Sequence, residues 1–257
     1  MATTSNKTIA KNTLYLYVRM ILIMIVSLYT SRVILQVLGV NDYGIYQAVG
    51  GIVGFISFLN SALSTGTSRF LAYELGTGDY NKLCRTFSTL LTAHIILALI
   101  VIVVAELLGG WLILHKLQIP AERMDAAIWV FHLSMAAAFF RLILVPYNAI
   151  VIAHEKMSFF AYTSIGEVFI LLGIVYVLRI GNVDKLILYA ALLVVVPMML
   201  LFVYVLYTGK YFKETTYHPM FDKKIFKPIV EFSSWSLLTN GSIALNNQGI
   251  LLLLGMF

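Results

Sequence analysis

Residues 87–112 read FSTLLTAHIILALIVIVVAELLGGWL, and this stretch decides the fold. It holds one acid, Glu106, and one histidine, His94. It is longer than the roughly 20 apolar residues that cross a bilayer as a helix. Working outward, six more stretches share its character: 14–38, 44–71, 126–153, 159–180, 186–207, and a last one that opens near Phe232 and is still apolar at Phe257. Of the 257 residues, 60% are hydrophobic and only 12% are charged, where a soluble domain carries about 25% charged residues. So little charge requires surroundings that accept apolar surface on every side, which is what lipid does. The expected fold class is all-α, a polytopic membrane helix bundle.

The connections between spans are short and polar, as in an up-and-down bundle. Gly39 is placed to end the first helix as a C-cap before Val40-Asn41-Asp42. Gly76-Thr77-Gly78-Asp79 breaks the second span from the third, Ile119-Pro120 precedes the fourth, and Asp184 is placed to cap the sixth. The longest break, 210–228, follows a block of six helices. Residues 1–209 are therefore expected to form a six-helix lobe, 210–231 a linker, and 232–257 the first helix of a second lobe. That seventh span contains Asn240, Asn246, Asn247 and Gln248, which are costly against lipid and require protein or water partners. With no polar tail after it, the expectation is a truncated chain whose remaining helices would face these amides.

Lys and Arg concentrate in cytoplasmic loops. If residues 1–11 lie inside, the inner segments hold eleven of the eighteen basic residues, the outer segments five, and Arg19 and Arg141 lie within spans. This bias predicts a cytoplasmic N-terminus. The net charge of +6 is spread between apolar blocks, so it does not build a nucleic-acid-binding face. The single cysteine, Cys84, excludes an internal disulfide. No GxxxxGK[ST] loop and no HExxH helix is present. No enzyme activity, metal or cofactor is expected, and the chain has no means of ATP-driven pumping.

An ionisable residue inside a span is a functional candidate by default. The candidates are Arg19, His94, Glu106, His132, Arg141 and Glu167. Arg19 lies roughly 8 Å from the inner start of its helix, Arg141 roughly 18 Å from its inner end, and Glu167 roughly 12 Å in, at 1.5 Å per residue. One cavity open to the inner side can hold all three. Its guanidinium groups suit an anionic head group, because Arg matches phosphate oxygens in a bidentate fork. Glu167 is also a candidate for ion coupling. Two plainer readings stay open: Arg141 and Glu167 as a structural ion pair, and Arg19 snorkelling to the inner head groups. Glu106 is expected to reach the outer interface, His94 and His132 to be satisfied polar residues, and the Gly50-Gly51-Ile52-Val53-Gly54 run to serve close helix packing.

Several stretches in order carry a resemblance: Leu38-Gly39-Val40-Asn41-Asp42-Tyr43-Gly44-Ile45-Tyr46, Phe58-Leu59-Asn60-Ser61-Ala62-Leu63-Ser64, Ser68-Arg69-Phe70-Leu71, Glu74-Leu75-Gly76-Thr77-Gly78-Asp79, Val145-Pro146-Tyr147-Asn148-Ala149 and Ala153-His154-Glu155-Lys156-Met157-Ser158. Together they resemble the lipopolysaccharide and polysaccharide biosynthesis flippases of the multidrug/oligosaccharidyl-lipid/polysaccharide exporter superfamily. The resemblance implies a MATE-like architecture of two six-helix lobes around a cavity with alternating access. It implies a lipid-linked oligosaccharide substrate bearing undecaprenyl diphosphate, residence in the bacterial inner membrane among its lipids, and other polysaccharide-assembly membrane proteins as partners. Arg19 and Arg141 are then candidate counter-charges for the diphosphate. Competing readings are a cation-coupled multidrug exporter of the same superfamily and a non-transporting membrane fragment.

Overall fold

The computed structural model describes the backbone of residues 2–180 and 183–256. It describes the side chains within them other than those of 2–11, 55–59, 62, 236, 237, 239, 240, 244, 245, 247, 248, 251, 252, 255 and 256. Among the described residues the fold is all helix and turn, with no strand. A continuous helical run, Ala2–Thr77, changes direction at Gly39 and forms two helices, α1 (2–38) and α2 (40–77). There follow α3 (Tyr80–His115), a 3-10 turn (Ala121–Arg123), α4 (Met124–Ala153), α5 (Met157–Val177), α6 (Lys185–Tyr211), a second 3-10 turn (Lys213–Thr215) and α7 (Lys223–Met256). Among the described residues, five stretches are long and apolar enough to cross a membrane: Asn12–Gly54, Tyr80–His115, Ala121–Ala153, Met157–Val177 and Lys185–Tyr211. The first straddles the bend at Gly39.

Gly39 differs from its expected role. Its φ of 81° and ψ of 169° lie far from a left-handed cap. Only glycine occupies this region without strain, because a Cβ would collide with the backbone. With one residue making the whole change of direction, Val40 already starts α2 and the expected polar loop is absent. The Thr77-Gly78-Asp79 break behaves as expected. Gly78 has φ 74°, and the Asp79 carboxylate accepts the Lys82 N–H at 3.0 Å to start α3. The linker is shorter than expected, since α7 opens at Lys223 and carries Pro228 in its second turn.

The buried residues form three clusters. One, toward the Gly39 end, joins Ile45, Val49 and Ile52 of α2 to Ala98 and Ile113 of α3, Phe131 and Met135 of α4, and Leu186 of α6. Here Gly109 lies so close to the Phe131 ring and Ile52 that any Cβ would overlap them. Such contact gains dispersion energy, which drives helix association in lipid where burial of apolar surface does not. A second cluster, toward the opposite end, joins Leu71, Phe87, Leu90, Ile150, Tyr204 and Ile229. A third packs Val33, Ile34 and Leu38 of α1 on Val175, Leu178 and Tyr189 of α5 and α6. Helix α7 runs along α2: Phe232 packs edge-on to Phe70, and Arg69 lies over the Phe232 ring at 4.4 Å.

Polar ties close each end. At the Gly39 end, Arg123 spans Asp42 of α2, with Nε–Oδ1 at 2.9 Å, and Asp184. Asp184 also accepts the N–H groups of Leu186 and Ile187, the expected cap of α6. Burial alone raises the Asp184 carboxyl, but Arg123 and these two N–H groups outweigh it and hold it below the usual carboxylate range. At the opposite end, Glu214 after α6 is 1% exposed, accepts the Tyr80 hydroxyl at 2.6 Å and meets Nε2 of His154. Burial pushes Glu214 up as well, and again the Tyr80 and His154 partners win and lower it. The His154 ring stacks on Phe212 at 4.1 Å, and Arg85 pairs with Asp222 at 2.8 Å. The linker is thereby docked on α3 and α4.

Candidate ligand-binding cleft

The helical period sets one face of each helix toward a common cleft. On α4 the residues Ser134, Ala138, Arg141, Val145 and Asn148 recur at spacings of three and four. On α5 Phe160, Thr163, Ser164 and Glu167 do the same, and α2 contributes Asn60, Ser61 and Ser64. Arg19 enters from α1 and Tyr204 from α6. The structure therefore brings Arg19, Arg141 and Glu167 to one cavity of about 280 Å³. A second chamber of about 360 Å³ adjoins it, lined by Tyr46, Gly50, Gly54, Ser134 and Tyr189. Asn60 and Arg141 line both chambers and mark where they join.

The charges in the lower chamber are unequal. Arg141 donates to Glu167 at 2.9 Å, so one cation is matched by the one carboxylate. Arg19 has no carboxylate partner among the described residues. Its guanidinium lies 4.3 Å from the centre of the Phe160 ring, and its Nε is buried without a hydrogen-bond partner among the described residues. Two carbonyl oxygens of residues lining the same chamber, Oδ1 of Asn60 and Oδ1 of Asn148, are likewise buried and without a partner among the described residues. Buried polar groups are ordinarily satisfied, and each orphan costs about 1–3 kcal/mol. Here a cationic donor and two acceptors belong to residues that line one space. Two further wall groups are committed: Thr163 meets the Tyr204 hydroxyl at 3.1 Å, and Ser164 donates to the Phe160 carbonyl.

Some expected residues stand elsewhere. Asn246, expected to face a second-lobe cavity, is exposed; the side chains of Asn247 and Gln248, and of Asn240, lie outside the described residues. Gly50 is not a packing contact, because a Cβ there meets nothing within 4 Å. Its missing side chain widens the upper chamber, while close approach occurs at Gly66 and Gly109 instead. Glu106 pairs with His132 across α3 and α4. His94 is buried, with Nδ1 on the Leu90 carbonyl at 2.8 Å. Asn60 and Asn148 were missed as site residues. The available signal was spacing, since Asn148 follows Arg141 by seven residues and so shares its face.

Fold and cleft together describe an all-α, multi-pass membrane bundle whose charged groups face an internal cavity. The sequence matches no family model and no curated protein. Among solved structures, the fold is similar to that of a MOP superfamily transporter from Pyrococcus furiosus, with TM-score 0.69 and 16% identity over 90% of this chain and 52% of that one. It is also similar to MATE in complex with MaD3S, with TM-score 0.67 and 17% identity over 96% of this chain and 63% of that one. The chain thus has the MATE-type fold and spans between half and two thirds of the length of these two proteins.

Proposed function

We propose that the protein is a membrane transporter of the MATE-like kind that moves an anionic lipid-linked oligosaccharide, carried on undecaprenyl diphosphate, from the inner to the outer leaflet by alternating access. The observation that carries this reading is the trio of orphan polar atoms in one cleft. Arg19 offers a guanidinium with no carboxylate partner, fit for a phosphate oxygen. Asn60 and Asn148 offer acceptors for hydroxyl groups. A ligand with an anionic head and sugar hydroxyls meets all three. The Pyrococcus furiosus transporter is described by the reverse polarity of its binding pocket, which is said to suggest a different function; the charge of the pocket is accordingly the feature to reason from. The resemblance of the loop motifs to polysaccharide flippases supports the same cargo, and the basic bias of the inner segments supports a cytoplasmic N-terminus in a bacterial inner membrane. The other polysaccharide-assembly proteins are its proposed partners.

A cation-coupled multidrug exporter is the second reading, with Glu167 as its coupling group. The 2.9 Å pairing of Glu167 with Arg141 weighs against a free cation-binding carboxylate. The test is complementation: the full-length protein is expressed in a host lacking its own surface-glycan flippase, and surface polysaccharide and resistance to cationic dyes are measured in the same cells. Restored glycan without dye resistance is expected. Dye resistance without glycan refutes the proposal in favour of the exporter.

A further inference from the structure

The two chambers of the cleft differ in charge. The lower one is lined by Arg19, Arg141 and Glu167. Arg141 is matched by Glu167 at 2.9 Å, so Arg19 leaves that chamber with an excess of positive charge among the described residues. The upper chamber, of about 360 Å³, has Arg141 as its one charged lining residue among those described, and that guanidinium is already paired. Its size falls within the roughly 300–1,000 Å³ of ordinary ligand sites, and its wall has their character, mostly apolar with a few placed polar groups. Those polar groups are hydroxyls and an amide: Tyr46 of α2, Ser134 of α4, Tyr189 of α6, and Asn60 of α2 at the junction with the lower chamber.

We infer that the upper chamber is a subsite for one uncharged sugar, the unit joined directly to the diphosphate held in the lower chamber. This rests on the proposed function and narrows the cargo that the cleft admits. A pyranose carries apolar C–H groups between its hydroxyls. Tyr46 and Tyr189 offer matching parts, each with an aromatic ring and a hydroxyl, and their rings meet edge to face with centroids 5.0 Å apart. The Asn60 Oδ1 is buried with no partner among the described residues. Because Asn60 lines both chambers, this acceptor suits a hydroxyl of the sugar nearest the diphosphate. Gly50 supplies the room, since a Cβ there meets nothing within 4 Å.

Charge excludes the other sugars. A uronic acid in the upper chamber meets no free cation among the described lining residues. Its carboxylate either stays unpaired in a largely apolar space or takes Arg141 from Glu167, which strands the Glu167 carboxylate instead. Each course leaves one anion without a partner, which is costly away from water. An amino sugar in its ammonium form meets the reverse problem, because Glu167 is committed to Arg141. A neutral sugar incurs neither cost and leaves the ion pair intact.

The test is titration of three ligands into the full chain in lipid nanodiscs: a short-chain polyprenyl diphosphate, the same lipid bearing one neutral hexose, and the same lipid bearing one hexuronic acid. The hexose is expected to tighten binding about tenfold over the bare diphosphate, as a few neutral hydrogen bonds do, and the hexuronic acid to give no gain. Gly50→Leu puts a side chain into the upper chamber and is expected to bring the hexose-bearing and bare lipids to equal affinity. Gly50→Ala, a smaller intrusion, is measured beside it and is expected to remove part of the gain. Three results overturn the inference while the proposed function stands: no gain from the hexose in the parent chain, an equal gain from the hexuronic acid, or a full hexose gain retained in both Gly50 variants. If none of the three ligands binds the parent chain, the proposed function fails and the inference falls with it.

Discussion

Replacing Arg19 tests the cleft most directly. Its guanidinium has no carboxylate to lose, only the Phe160 ring at 4.3 Å, and a cation–π contact is worth about 0.5–2 kcal/mol. Arg19→Ala should therefore lower the melting temperature only slightly. Ligand binding is another matter. Hydrogen bonds to charged groups are worth about 1.5–3 kcal/mol, which at about 1.4 kcal/mol per decade is roughly a 10- to 150-fold loss of affinity. Arg19→Lys keeps the charge but loses the planar fork, so its affinity should fall between the two. The assay is titration of a short-chain polyprenyl diphosphate into the full chain in nanodiscs, with thermal unfolding measured on the same samples. If Arg19→Ala binds the diphosphate as tightly as the parent chain, the orphan Nε is not a ligand contact and the cationic-cleft argument fails.

Glu167→Gln releases Arg141 from its only carboxylate. The same titration should show tighter diphosphate binding by several-fold, while the half-exposed pair's loss costs about 1 kcal/mol or less in stability; weaker binding would mean Glu167 itself orients the ligand. Gly39→Ala forces a Cβ into φ 81°, ψ 169° and should destabilise by about 1–3 kcal/mol, read as a lowered melting temperature, whereas Gly76→Ala, with open space around it, should not. Asp184 and Glu214 are both held below their ordinary values. Their stabilisation is therefore complete above the ordinary carboxylate range of about pH 4 and is lost as pH falls through the lowered values. Melting curves from pH 7 to pH 3 should show this acid loss, and Asp184→Asn should flatten it.

The all-helical character, the Asp184 cap and the positions of the Gly76-Thr77-Gly78-Asp79 and Ile119-Pro120 breaks were legible because they depend on local chemistry. Gly39 was legible as a break but not as a one-residue bend inside an otherwise continuous helical run. The cleft was partly legible: Arg19, Arg141 and Glu167 stand out as charges among apolar residues, and helical rise alone gives them compatible depths. Asn60 and Asn148 do not stand out, because an amide in an apolar helix is unremarkable until its partners, or their absence, are known.

By itself, then, the sequence determined that the chain is an all-α membrane bundle with a few charges set among apolar residues, because hydropathy is a property of single segments. Only the tertiary structure decided which faces meet. It set Glu167 against Arg141, left Arg19 over the Phe160 ring with no carboxylate partner among the described residues, turned Gly50 into open space and joined Glu106 to His132. Each outcome depends on how neighbouring helices are rotated and offset, and that is fixed by packing between segments distant in the chain.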